Sequence, residues 1–115
     1  MQLTYRTVRG IPIATLSGSF IKTEVPRVRQ QLTKIINKNV PYLILDLTQL
    51  TFIDVRGLSV FVSTLKVASQ YQGDVLLLNP TPAVRAIIEL VRLQHTFSIY
   101  ADESAAIAYC TSTAR

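Results

Sequence analysis

The run Tyr42-Leu43-Ile44-Leu45-Asp46-Leu47-Thr48-Gln49-Leu50-Thr51-Phe52-Ile53-Asp54-Val55-Arg56-Gly57-Leu58 decides the fold. Tyr42 to Leu47 is almost continuously apolar, the pattern of a strand covered on both faces, as in parallel sheets. Thr51-Phe52-Ile53 then leads to Asp54, whose short carboxylate suits a helix N-cap. Beyond it Leu58, Phe61, Val62, Leu65 and Ala68 recur at helical spacing, while Arg56, Ser59, Ser63, Lys66 and Gln70 form the opposite stripe. Those two stripes predict an amphipathic helix from Asp54 to about Tyr71, apolar inward and polar outward.

Upstream, Leu3 to Val8 alternates and is rich in Thr, Tyr and Val, which suits a strand. Arg9-Gly10 marks a turn. Ile11 to Leu16 reads as a second strand, with Pro12 requiring a strand start or an edge. A helix is predicted to start near Thr23, with the Thr23 hydroxyl as cap, Glu24 complementing the dipole and Pro26 in the first turn. Val25, Val28, Leu32, Ile35 and Ile36 supply its buried side. Downstream, Gly73-Asp74 is a turn, Val75 to Leu78 a buried strand, and Thr81-Pro82 a cap followed by proline at the first helical position. Phe97 to Tyr100 is a short last strand, and Asp102-Glu103 opens a final helix. The order β-β-α-β-α-β-α-β-α implies an α/β domain spanning residues 1–115, with a mostly parallel five-stranded sheet, an N-terminal antiparallel strand and about four covering helices.

Composition narrows the function. The hydrophobic share of 49% builds a real core and argues against disorder. No apolar run approaches the roughly 20 residues of a membrane-spanning helix, and the strand-like start does not resemble a signal segment. The expectation is a soluble, cytoplasmic chain with no membrane insertion. The net charge of +5 is uneven: residues 1–45 hold seven basic residues against Glu24 alone. That bias suits an acidic partner or a solvated helix face; basic–aromatic interleaving of the single-strand-binding kind is missing, so nucleic acid is not expected.

Catalytic chemistry finds little footing. Cys110 is the one cysteine, which excludes an internal disulfide and a multi-cysteine metal site. His95 is the single histidine, in an expected loop, and assembles no triad or metal set. Asp46 and Asp54 read as a strand-end residue and a helix cap rather than a catalytic pair. The four glycines form no phosphate-binding array. No cofactor, no metal and no enzyme activity are expected.

Three segments together resemble the STAS family, the fold of anti-sigma-factor antagonists. Tyr42 to Leu58 is similar to its apolar strand, Asp-Leu, short link and Asp-Ser-Ser-Gly-Leu motif. Val75 to Val84, with Leu-Leu-Leu-Asn-Pro-Thr-Pro-Ala-Val, resembles its next strand and helix start, and Leu90 to Tyr100 the following helix end and strand. The resemblance implies partner switching: such a protein captures an anti-sigma factor that is also a serine kinase, and phosphorylation of the second Ser of the motif releases it. Asp54 and Gly57 match the motif, but Val55 and Arg56 replace its serines. Arg56 therefore stands at the phospho-acceptor position and cannot take phosphate there. Two roles are open for it: a fixed docking residue, or a surface residue paired with Asp54. Ser59 and Ser63, on the same helical face, are the substitute phosphosites or simply small positions that admit a partner helix. A further departure is Arg92, where the family tends to carry Gly before Leu; the expectation is a different local turn.

The docking surface expected from these readings comprises Phe20, Ile21 and Lys22 after the second strand, with Phe20 as apolar anchor, and Asp54, Arg56, Ser59 and Ser63 on the second helix. The partner is a protein of the anti-sigma-factor, serine-kinase type. The alternative is an accessory subunit packing on the ATPase of an ABC-type lipid transporter, which needs no phosphorylation. The chain itself is expected to be a monomer or weak homodimer.

Overall fold

A computed structural model describes residues 1–113. Five strands, β1 (Gln2–Val8), β2 (Ile11–Phe20), β3 (Tyr42–Ile53), β4 (Asp74–Leu78) and β5 (Ser98–Tyr100), lie side by side in that order. β1 runs antiparallel to β2, and every other pair is parallel. Four helices alternate with the parallel strands: α1 (Val25–Ile35), α2 (Val55–Gln70), α3 (Pro82–Leu90) and α4 (Glu103–Thr113). The expected class, element order and mixed sheet are all present.

Period-two alternation divides the strands between two cores. Ala14, Leu16, Leu43, Leu45, Leu47, Val75 and Leu77 face α1, α2 and α3, where Val28, Leu32, Leu58, Phe61, Val84 and Ile88 meet them. Ile13, Ile44, Leu76 and Leu78 face the other way, against Ala106, Ile107 and Cys110 of α4. The strands read as unbroken apolar runs because both sheet faces are covered. Each buried aliphatic side chain contributes about 1.5–3 kcal/mol relative to exposure, so the two layers carry most of the stability. Cys110 is sealed in the thinner layer, and burial pushes its thiol up to about 11. The inert-thiol reading follows from that environment.

β3 is longer than its sequence suggests. Thr48 and Gln49 look like a break, yet the strand continues to Ile53 because β2 keeps pairing with it through two register shifts, between Thr15 and Ser17 and between Gly18 and Ser19. These bulges let β2 and β3 finish together, with Phe20 opposite Ile53. Thr23 does not cap α1. Lys22–Glu24 forms a short 3-10 turn, and the α1 N-cap is Glu24, which makes no side-chain cap bond. Pro26 in the first turn of α1 removes one N–H that would otherwise need a partner.

Arg92 overturns the expectation of a different turn. It adopts φ +61°. Its N–H donates to the Glu89 carbonyl at 3.0 Å and the Leu93 N–H to the Ile88 carbonyl at 2.9 Å, the paired bonds of a Schellman cap. Gln72 ends α2 in the same way, at φ +58°. Two satisfied carbonyls and the packing of Leu93 against the core outweigh the steric penalty of a left-handed Cβ. Arg92→Gly should therefore stabilise the protein by about 0.5–1 kcal/mol. A urea melt reads this as a higher midpoint at unchanged slope; an unchanged or lower midpoint would mean that the left-handed arginine is not strained.

Asp74, at the start of β4, is half-buried under α4. One oxygen accepts from the Val75 N–H at 2.8 Å and the other from the Tyr109 hydroxyl at 3.4 Å. Burial nevertheless dominates and raises its pKa, against the lowering effect of those bonds. A carboxyl raised on folding adds stability below the unfolded carboxylate range, about pH 4, and loses it as pH rises through the higher folded value. The half-exposed Glu24 and Glu103 are shifted the opposite way, so the informative quantity is a difference. Relative to Asp74→Asn, the wild type should lose stability between pH 4 and pH 7, measured by urea unfolding at each pH. A difference that stays flat across that window would contradict the assignment.

Candidate docking surface

The parallel strands β2 and β3 end together, and the chain leaves each into a turn or helix start. Asp54 fastens these exits. One carboxylate oxygen accepts from the Gly57 N–H at 2.7 Å and the other from the Lys22 N–H at 3.0 Å. Its own N–H donates to the Phe20 carbonyl at 3.2 Å. The predicted cap is thus formed, and it also ties the β2 exit to α2. Gly57 packs on the same point: a Cβ there would lie 2.7 Å from the Phe20 carbonyl oxygen. Only glycine lets α2 approach β2 this closely.

The sequence-derived residues divide once placed. Phe20 is fully buried, its ring 5.9 Å from that of Phe61. It is a core residue, so its expected role as a surface anchor is corrected. Ile21 and Lys22 are exposed beside it. Arg56 and Ser59 are exposed and Ser63 half-exposed along the outer ridge of α2. The pairing of Arg56 with Asp54 does not form; the Asp54 oxygens bond the backbone N–H groups of Gly57 and Lys22 instead.

The serine hydroxyls are satisfied internally. Ser59 donates to the Arg56 carbonyl at 2.6 Å and Ser63 to the Ser59 carbonyl at 3.0 Å. Sequence reasoning missed two exposed apolar residues here, Phe52 and Val55; Val55 is 63% exposed. Strand alternation carried the signal for Phe52, since its neighbour Ile53 points inward. The position of Val55 directly after the cap carried the signal for that residue.

The cationic side chains of this surface make no ion pair among the described residues. Each of the seven Asp and Glu carboxylates has other partners. Glu24 bonds the Met1 ammonium and Arg27, and Asp46 bonds Thr48. Glu103 pairs with Arg6, Glu89 with Arg85, and Asp102 caps α4 through the Ala105 N–H. Asp54 and Asp74 hold backbone groups, as described. Among the described residues no carboxylate lies within ion-pair reach of Lys22, Arg56 or Lys66. Arg56 also stands at the N-terminal, positive end of α2, with Asp54 as the nearby anion.

Beside the ridge runs an open groove of about 330 Å³, lined by Val55, Leu58, Ser59, Val62, Ser63 and Lys66 of α2 and by Val91 and Leu93 of the turn after α3. Among the described residues no group of three or more His, Cys, Asp or Glu side chains could hold a metal ion. No described helix is long and apolar enough to cross a membrane. His95 is exposed in the turn before β5.

Residues 2–106 match the family model of the STAS domain. The chain belongs to the STAS family. Over its whole length this STAS protein is 29% identical to BtrV of Bordetella bronchiseptica, a protein assigned as an anti-sigma factor antagonist and likewise fully covered. Its fold is similar to that of a protein of the same assignment from Thermotoga maritima, with a TM-score of 0.87 at 23% identity over 95% of this chain and 94% of that one. It is similar also to SpoIIAA in its unphosphorylated form, with a TM-score of 0.83 at 22% identity over 96% and 97%. A regulatory role through protein interaction follows from this kinship. In this STAS domain Asp54 and Gly57 have structural duties at the head of the second helix, whereas Val55 and Arg56 between them are exposed.

Proposed function

We propose that the protein is a non-catalytic anti-sigma-factor antagonist that docks onto an anti-sigma factor of the serine-kinase type through the surface around Arg56, with no phosphate switch at that position. One observation carries the reading: Arg56 is exposed at the start of α2 with no side-chain partner among the described residues, beside the Lys22 turn that Asp54 holds in place. An unpaired arginine flanked by exposed Ile21, Phe52 and Val55 has the make-up of an interface hot spot, a charge ringed by apolar contacts. In the relatives with a motif serine, added phosphate would bring roughly −1.5 to −2 charge to this point. Arg56 brings a permanent positive charge instead, which suits an acidic patch on the partner and leaves nothing to switch there.

Ser59 and Ser63 fit close approach better than phosphate acceptance, because their hydroxyls are engaged with α2 carbonyls. Intact-mass measurement on protein from its native cell reads this directly. Unmodified mass agrees with close approach, and an added phosphate mapped to either serine would restore the substitute-phosphosite reading.

Arg56→Glu should weaken partner binding at least about tenfold, and the wild-type affinity should fall with added salt. Titration calorimetry against the co-purified partner measures both, and full binding by Arg56→Glu would remove the proposal. Arg56→Ser supplies the complementary result. If the partner is a serine kinase, this variant gains one phosphate with ATP while the wild type gains none. Co-purification of a transporter ATPase in place of a kinase-like anti-sigma factor would select the transport-accessory reading.

A further inference from the structure

The groove beside α2 has the dimensions and chemistry to hold a helix. It follows α2 from Val55 to Lys66, three turns or about 16 Å. Leu58 and Val62 form its floor, and Val91 and Leu93 form the opposing wall. Ser59 and Ser63 narrow nothing and demand nothing, because both hydroxyls are satisfied on their own helix. A second helix can therefore pack closely along this ridge without stranding a polar group.

Charge indicates what kind of helix. Lys66 lines the groove and Arg56 lies one turn before Ser59 on the same ridge; among the described residues neither forms an ion pair with a carboxylate. We infer that the groove between α2 and the turn after α3 is a receptor for an amphipathic, acid-flanked helix of a partner protein. Its apolar i, i+3/i+4, i+7 face would lie on Leu58, Val62, Val91 and Leu93, and its carboxylates would meet Arg56 and Lys66. This rests on the docking role proposed above and extends it: Arg56 becomes one end of a three-turn contact. The groove is an open trough rather than an enclosed cavity, which suits a helix better than a small ligand, most of whose surface a pocket must bury.

The test uses the full chain and a displayed library of helices about four turns long. Leucines are fixed at i, i+3 and i+7, and the flanking positions are varied among Glu, Lys, Gln and Ser. Selection on the wild type should enrich Glu, and binding of the selected helices should shift the amide signals of Val62, Ser63, Val91 and Leu93. Lys66→Glu, an exposed change at a side chain with no ion pair among the described residues, should weaken those helices about tenfold and reverse the flanking preference to Lys. Enrichment indifferent to charge would overturn the inference. So would helices that shift only the Ile21–Arg56 end, or groove signals that move with protein concentration alone, which would assign the groove to a second copy of the chain.

The two readings fail separately. If Arg56→Glu abolishes binding of the anti-sigma partner while Lys66→Glu has no effect on it and no helix is selected, the groove inference falls and the docking role stands. If acid-flanked helices fill the groove but Arg56→Glu leaves the anti-sigma partner bound, the docking role falls.

Discussion

Replacing Gly73 with alanine should cost the protein more than about 3 kcal/mol and lower its melting temperature by roughly 10 °C or more. The reason is a close approach of two backbones. α2 ends in a Schellman cap in which the Gly73 N–H donates to the Ala68 carbonyl at 2.8 Å, and the chain then enters β4 at once. Asp74 pairs with Tyr42 in the sheet, and its N–H donates to the Pro41 carbonyl at 3.2 Å. A Cβ on Gly73 would fall on the Pro41 carbonyl group itself.

The sign of the effect is what discriminates. Gly73 does not have a positive φ. On conformational grounds alone alanine would stabilise by about 0.4–1 kcal/mol, through a stiffer unfolded chain. The collision reverses that expectation. Neither backbone can retreat easily, because one belongs to the helix cap and the other opens the central strand. A thermal or urea melt decides it, and an alanine variant as stable as the wild type would disprove the close approach.

Asp54→Ala should cost about 2–4 kcal/mol. Loss of a helix cap accounts for about 1–2 kcal/mol. The Lys22 N–H, left without its acceptor, accounts for a further 1–2 kcal/mol, approximately. Asp54→Asn keeps one good acceptor for two donors and should fall between, near about 1 kcal/mol. Hydrogen exchange supplies the local readout: the amides of Gly57 and Lys22 should lose protection together, since one carboxylate holds both. Loss at Gly57 alone would mean that Asp54 is only a cap. The functional consequence is indirect. Asp54 is occupied with two backbone N–H groups, and without it Ile21 and Lys22 are no longer fixed relative to Arg56. Partner affinity should therefore fall even in conditions where the variant remains folded.

Much of this was readable from residues alone. The apolar run Tyr42–Leu47 announced a strand buried on both faces, and Asp54 announced the helix that follows it, because both are local signals with one physical meaning. The outer stripe of α2 was equally plain from its spacing. What escaped depended on distant partners. Phe20 looks like a surface aromatic at a strand end, and only the arrival of Phe61 across the core buries it. Thr23 has the right chemistry for a cap, but the preceding 3-10 turn displaces the helix start.

Arg92 is a poor residue for a left-handed turn, and the bonds that close α3 impose the turn regardless. The strand read from Tyr42 to Leu47 runs on to Ile53 because pairing with β2 through bulges sustains it where its own sequence has become polar. The groove beside α2 was invisible for a similar reason. Its far wall, Val91 and Leu93, comes from a segment some thirty residues away, and no periodicity links the two.

The division of labour at the head of α2 has a historical meaning. Asp54 and Gly57 act as fixed posts: one closes the helix and anchors a neighbouring loop, the other admits a backbone carbonyl at close range. Between them, positions 55 and 56 bear no weight in the architecture. A lineage can therefore rewrite those two letters freely, exchanging a modifiable side chain for a permanent one, without first acquiring compensating changes in the interior. Signalling behaviour in such a scaffold can diverge faster than its shape.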